Sequence, residues 1–262
     1  MVTESVFEIP ADNIVLPFQL ENSALRGRIV RMNGVVDEII APQNYDTEIA
    51  QLTGEAAVIT VLLSSMLKYE GTFTLQAQGD GIVKTLVSDV TSEGELRACA
   101  AYDADRLQSA GKVVPLQEDG SQYNNLAQLL GKGHLAFTVD QGSETDRYQG
   151  LVALKGKSMV ECVHHYFIQS EQIGTGIKLA VGQRDGAWKA GAIMLQHLPE
   201  EAHNPEAGTG NVREDDWRRA MVLMDSSSEG ELFDAQLPPQ QLLFRLFHEE
   251  GIRVFQPSGL SK

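Results

Sequence analysis

Cysteine is nearly absent from this chain. Only Cys99 and Cys162 occur in 262 residues, too few for a disulfide framework and too few for a structural zinc site built on cysteine. A reducing compartment fits that usage. Positive charge is also scarce. Twenty-one Lys and Arg against 36 Asp and Glu leave a formal net charge of −15, which works against the attraction that holds proteins on nucleic acid or on anionic lipid. Neither nucleic acid nor membrane is expected as a partner. The longest apolar stretch, residues 56–67, is interrupted by Thr60, Ser64 and Ser65 and falls short of the ~20 residues of a spanning helix. Residues 1–12 carry Glu4, Glu8 and Asp12 where a secretory signal needs positive charge followed by an apolar run. The expectation is a soluble, cytoplasmic protein.

What is present suits a folded chain. Hydrophobic residues make up 42% and charged residues 22%, near the globular average, and the length suggests one core with an appendage or two modest domains. Residues 25–32, followed by Asn33-Gly34, predict a β-hairpin that continues into 35–40. Over 45–68, apolar residues recur at Ile49, Leu52, Ala56, Ile59, Leu62, Leu63 and Met66, the spacing of a helix with one buried face, and Gly71 is its expected stop. Alternation over 72–78, the Gly79-Asp80-Gly81 turn and a strand from Ile82 predict a second hairpin.

Further strands are expected at 96–102, 133–140 and 148–154, then a helix over 158–170 with Ser158 as N-cap and Glu161 three positions on. Strands at 178–181 and 188–195 complete the sheet. Hairpins with helices between them, rather than a βαβ alternation, predict an α+β fold with a mixed or antiparallel sheet. Residues 199–214 are polar and carry Gly and Pro, the composition of a linker, so a core is expected over 1–198 and a mostly helical region over 199–262. That region has net charge −6 yet carries Trp217, Met221, Leu223, Met224, Leu242, Leu243, Phe244, Leu246 and Phe247. Helices are expected over 215–224, from about Ser228, and over 238–250 with Gly251 as the stop.

Candidate chemistry is sparse. Cys162 and His165, three residues apart on a helix, are the most enzyme-like pair, because an imidazole can lower a thiol pKa. A thiol enzyme with Cys162 as nucleophile is therefore the alternative to a non-enzymatic protein, and a buried structural cysteine is favoured over it. Gly79-Asp80-Gly81 lacks the acidic ligands of a calcium loop and the helix of a phosphate loop. Gly174-Thr175-Gly176 lacks the third glycine of a dinucleotide fingerprint and reads as a helix exit. The six histidines show no pair at the four-residue spacing of metalloproteases, so no metal site is expected. Asp215-Asp216 and Glu249-Glu250 read as solvated surface at helix ends.

Several stretches together resemble the 33-kDa redox-regulated heat-shock chaperone family of bacteria. They are Arg26-Gly27-Arg28, residues 67–71, 75–81, 94–97, 148–152 and 166–172, and residues 246–251 followed by Val254-Phe255. The similarity runs from about Ile14 to Pro257. It implies an ATP-independent holdase that binds unfolded or partly folded client proteins during oxidative stress, acting as a homodimer. In that family a carboxy-terminal cysteine quartet binds zinc when reduced, and its oxidation to disulfides unfolds the linker and exposes binding surface. None of the four cysteines occurs here, so no cofactor is expected in this chain. It reads as a core-plus-linker fragment or as a natural form without the switch. The client-binding or regulatory surface is expected to involve Met221, Leu223, Met224, Leu242, Leu243 and Phe247, chosen by amphipathic position, with the helical region folded back on the core when no client is bound.

Overall fold

The computed structural model describes residues 9–110, 126–142, 148–197 and 214–262. These fall into two compact units, one drawn from Met1–Asp37 and Gln172–Ser261, the other from Glu38–Glu171 with Lys262. The first is thus assembled from both ends of the chain. The boundary expected near residue 198 lies among 198–213, outside the described residues.

Two antiparallel sheets with helices make an α+β fold. In the first unit, β1 (Ile14–Leu20) and β2 (Leu25–Arg31) form a hairpin. β2 continues onto β9 (Ala187–His197), which pairs with β8 (Thr175–Arg184). The short β10 (Ile252–Val254) and β11 (Ser258–Gly259) pair with β1 on its other side. Alternate side chains share a face of a strand, and Ile14, Leu16, Phe18, Leu20, Leu25, Ile29, Ile193 and Leu195 accordingly join one apolar cluster.

The hairpin expected around Asn33-Gly34 does not form, because α1 (Asn33–Ile40) begins there. Its orphan amides are capped from a distant segment. Asp12 accepts hydrogen bonds from the N–H of Asn33 (2.9 Å) and Gly34 (3.1 Å), and Asn13 Oδ1 accepts one from Val35 N–H (3.0 Å). A capped helix start satisfies donors that a turn would leave to solvent.

The second unit holds a sheet ordered β5-β4-β3-β6-β7. Its strands are β3 (Thr72–Gly79), β4 (Val83–Thr91), β5 (Leu96–Tyr102), β6 (Gly133–Asp140) and β7 (Tyr148–Ala153). They match the expected strands closely. Gly79 is required by its neighbours, since a Cβ there would sit 1.8 Å from the Leu130 carbonyl oxygen. α2 (Thr47–Ser64) packs against β3, β4 and β5. Burial is broader than the one-sided pattern expected: 14 of its 18 residues are buried, leaving Thr47 exposed and only the stripe of Glu48, Gln51 and Glu55 half-buried, and Met66 lies beyond its end.

Short helices α3 (Ala104–Ser109) and α4 (Leu126–Leu129) have no counterpart in the sequence reading. α5 (Met159–Tyr166) starts at Ser158, whose Oγ accepts from Glu161 N–H (3.2 Å), and passes into a π-helical turn, Phe167–Glu171. Three helices of the first unit remain: α6 (Glu214–Asp225), α7 (Glu229–Phe233) and α8 (Pro239–Phe247), the last continued by a 3-10 turn, His248–Glu250, that ends at Gly251 with φ of 67°.

Candidate functional site

The enzyme-like pair meets at one backbone carbonyl, but its thiol is not activated. Cys162 is buried, and burial pushes its thiol up to about 11, so the thiolate that nucleophilic attack needs does not form near neutral pH. His165 is exposed, and its Nδ1 lies 2.9 Å from the Lys155 carbonyl oxygen, to which the Cys162 thiol also donates (3.6 Å). Cys99 is exposed on β5. Among the described residues no cluster of three or more His, Cys, Asp or Glu able to hold a metal occurs. Asp80, in the glycine turn, is engaged structurally, its Oδ1 accepting from Lys132 N–H (2.7 Å). Gly176 is the second residue of β8 and lies beneath Met221.

The most developed surface is the apolar face of the six-stranded sheet, which α6, α7 and α8 cover. α8 shows why. Pro239, Leu242, Leu243, Leu246 and Phe247 are buried while Gln241, Phe244 and Arg245 are exposed, the one-sided stripe of an amphipathic helix. Phe247 stacks on Phe18 of β1 with ring centroids 6.0 Å apart. α6 contributes Ala220 and Met224 at 0% exposure, with Trp217, Met221 and Leu223 packed at the margin. Trp217 meets the His197 ring edge-on at 4.6 Å. α7, fixed by a capping box between Ser228 and Glu231, inserts Leu232 and Phe233.

All six residues expected at the client-binding surface therefore meet in one cluster. Met224, Leu242, Leu243 and Phe247 are wholly buried, and Met221 and Leu223 half-buried. Each fully buried side chain of this size contributes about 1.5–3 kcal/mol to the packing of these helices on the sheet. Their counterparts on the sheet, above all Leu16, Phe18, Ile29 and Leu195, were not singled out in the sequence, although the alternation over 14–20 carried the signal.

Polar contacts fix the cover as well. Glu250, expected on the solvated surface, is 3% exposed and paired with Arg219, at 2.6 Å from Nε and 3.0 Å from Nη2. Arg219 also reaches Asp216 at 2.9 Å, and these two carboxylates hold its guanidinium firmly protonated. A carboxylate buried at a helix end is stable there because a fork of N–H donors meets it. Asp215 and Glu249 remain exposed. At the other edge, Arg31 of β2 is entirely buried and points its guanidinium at carbonyl oxygens of α7 and the loops beside it. Asn33 Nδ2 donates to the Phe233 carbonyl (2.9 Å). No sequence pattern distinguished Arg31 from Arg26 and Arg28, which share its strand.

Comparison with known proteins follows the same lines. Residues 13–262 match the family model of the Hsp33 protein. The 33 kDa chaperonin of Caulobacter vibrioides is 36% identical over 255 residues, which is 95% of this chain and 80% of that protein. That of Actinobacillus pleuropneumoniae is 33% identical over 240 residues, 92% of this chain and 72% of its own. Among solved structures, the 33 kDa chaperonin (heat shock protein 33 homolog) of Thermotoga maritima superposes with a TM-score of 0.72 at 21% identity, over 95% of this chain and 79% of that one. With nearly its whole described length matched in sequence and in fold, this chain belongs to the Hsp33 family of chaperones.

Proposed function

We propose that this chain is an ATP-independent holdase that captures partly unfolded proteins under oxidative stress, and that its capturing surface is the apolar face of the six-stranded sheet together with the inner sides of α6 and α8. The observation that carries the reading is the character of the cover. Its helices hide Met224, Leu242, Leu243 and Phe247 against the sheet, while their outer sides are mostly charged and polar, with Val222 and Phe244 among them. Such helices can leave the sheet and stay in solution, and their departure uncovers two apolar surfaces at once. Apolar burial is non-directional, so recognition on these surfaces is broad, and the thioethers of Met221 and Met224 adapt to irregular partners.

Independence from nucleotide fits the glycine-bearing turns, which serve hairpin geometry and the Asp80 contact with Lys132. The coupling to oxidative stress rests on the family resemblance. The test is suppression of light scattering by a thermally unfolding client, without nucleotide, under reducing conditions and after oxidation. Suppression that grows as α6–α8 become accessible to protease supports the reading. Suppression that requires ATP, or a chain that never suppresses scattering even with the cover cleaved, contradicts it.

A further inference from the structure

Two kinds of contact hold the cover on the sheet. Apolar packing supplies most of the attraction but little direction, and it tolerates sliding. The second kind is directional: Lys178 of β8 donates to the Asp225 carbonyl, Arg184 pairs with Glu229 at the surface, Asn22 N–H donates to the Glu250 carbonyl, and the densest and most buried set gathers on Arg31. Arg31 closes β2 on the covered face. Its Nε donates to the Leu232 carbonyl (3.0 Å), its Nη2 to that of Glu231 (3.1 Å), and its Nη1 to those of Leu237 (2.8 Å) and Ala11 (3.0 Å). Asn33 adds the Phe233 carbonyl. Glu231, Leu232 and Phe233 end a five-residue helix, and the last carbonyls of a helix have no partner within it. The guanidinium also brings positive charge to the negative end of that helix.

The sheet is shaped to let α7 come down to this point. Gly191 pairs with Arg31 across β2 and β9, and a Cβ at Gly191 would lie 2.8 Å from the Leu232 carbonyl oxygen and 3.2 Å from Leu232 Cβ. The absent side chain is what brings that carbonyl within reach of Arg31 Nε. The carboxylates of Asp12 and Asp234 favour the charged guanidinium and oppose the effect of its burial.

We infer that Arg31, seconded by Asn33, is the positioning residue that sets where the helical cover docks and how readily it opens. When the cover lifts, the N–H groups that held α7 turn to water, so the open state carries no buried unpaired charge. The contact therefore works as a latch and leaves opening reversible. Its acceptors are backbone carbonyls, so salt that weakens exposed ion pairs leaves it largely intact. The functional consequence, and only that, rests on the reading of the covered face as the client surface.

The test compares the full chain with Arg31→Lys, Arg31→Leu and Asn33→Ala by amide hydrogen exchange and by suppression of client scattering. Lysine keeps the charge but not the planar fork that serves several carbonyls together. In both Arg31 variants, amides of α6–α8 should exchange about tenfold faster or more, the loss expected when charge-assisted hydrogen bonds to buried acceptors are removed. β1, β2 and β9 should change little. Asn33→Ala, which removes one neutral bond, should give about a threefold change. Unchanged exchange in α6–α8, or equal acceleration in the cover and in β1, β2 and β9, overturns the latch. If Arg31→Leu does not fold, Arg31→Lys and Asn33→Ala decide by the same criterion. A cover that loosens without any gain in suppression upholds the latch and removes the client-surface reading.

Discussion

The sheet of the second unit packs on α2, whose surface is buried but for a half-buried stripe of Glu48, Gln51 and Glu55 and an exposed Thr47 at its start, whereas the sheet of the first unit lies beneath α6, α7 and α8, whose outer sides are mostly polar, with Val222 and Phe244 exposed among them. A helix that is apolar over most of its circumference is compatible with water only when packed. An amphipathic helix has two. On the proposed reading, the same apolar chemistry makes a permanent core in one unit and a removable cover in the other, and the difference lies in which residues occupy the outward positions. Polar fastening differs in the same sense. In the second unit the Arg97–Asp89 pair sits at the surface with Arg97 78% exposed, while the cover depends on Glu250 and Arg31, both buried.

The largest expected effect separates the two helices directly. Leu242→Ala and Ile59→Ala each remove a wholly buried side chain, at about 2–5 kcal/mol. In Ile59→Ala the loss should appear as a lower unfolding temperature of the second unit. In Leu242→Ala it should appear as faster protease cleavage of α6–α8 and stronger suppression of client scattering, with the second unit's melting unchanged. Equal effects of both on melting would erase the distinction between core and cover.

Arg219→Ala comes next, because it leaves Glu250 buried without its guanidinium. Since Arg219 is itself half exposed, the cost should be roughly 1–3 kcal/mol, read as loosening of α6 and the 3-10 turn by hydrogen exchange. A smaller effect separates the units by pH. Burial raises Glu55, on α2, to about 7 from 4.5, so between those values the folded state holds a proton that the unfolded chain has released. Stability from this group therefore grows as pH falls from above 7 toward 4.5. His197, under the cover, is lowered from 6.5 by burial, so its contribution is present above 6.5 and lost as pH falls below it. Acidification from pH 8 to pH 6 should raise the second unit's melting temperature, less the opposing share of His164 on α5, which burial also lowers, and loosen the cover. Glu55→Gln should remove the first trend, an effect of roughly 1–2 kcal/mol, and leave the second. The smallest change is expected for Arg218→Ala, whose pairs with Glu214 and Asp215 are exposed. It should shift stability by less than about 0.5 kcal/mol, within the error of thermal unfolding.

Most elements were legible from local pattern. The strands over 96–102 and 133–140 and the Ser158 cap with Glu161 follow from alternation and capping chemistry, which are properties of adjacent residues. The errors have a common physical origin in contacts across the chain. Asn33-Gly34 has the composition of a turn, but Asp12 and Asn13 arrive from about twenty positions upstream to cap a helix there. Glu250 reads as a solvated acid until Arg219, 31 positions away, is placed beside it. Arg31 is one of three arginines in a strand, and its role follows from carbonyls some 200 positions distant. The inner face of the cover could be chosen from helical spacing, while the sheet beneath it needed the register of β1 against β2.

The central claim is that client proteins bind where α6, α7 and α8 now lie. Amide hydrogen exchange of the chain, alone and with a thermally unfolding client, addresses it most directly. The account predicts that client binding accelerates exchange throughout α6–α8 and leaves α2 and the five-stranded sheet protected. Client bound with α6–α8 still protected, or with the change falling on the second unit instead, would contradict it.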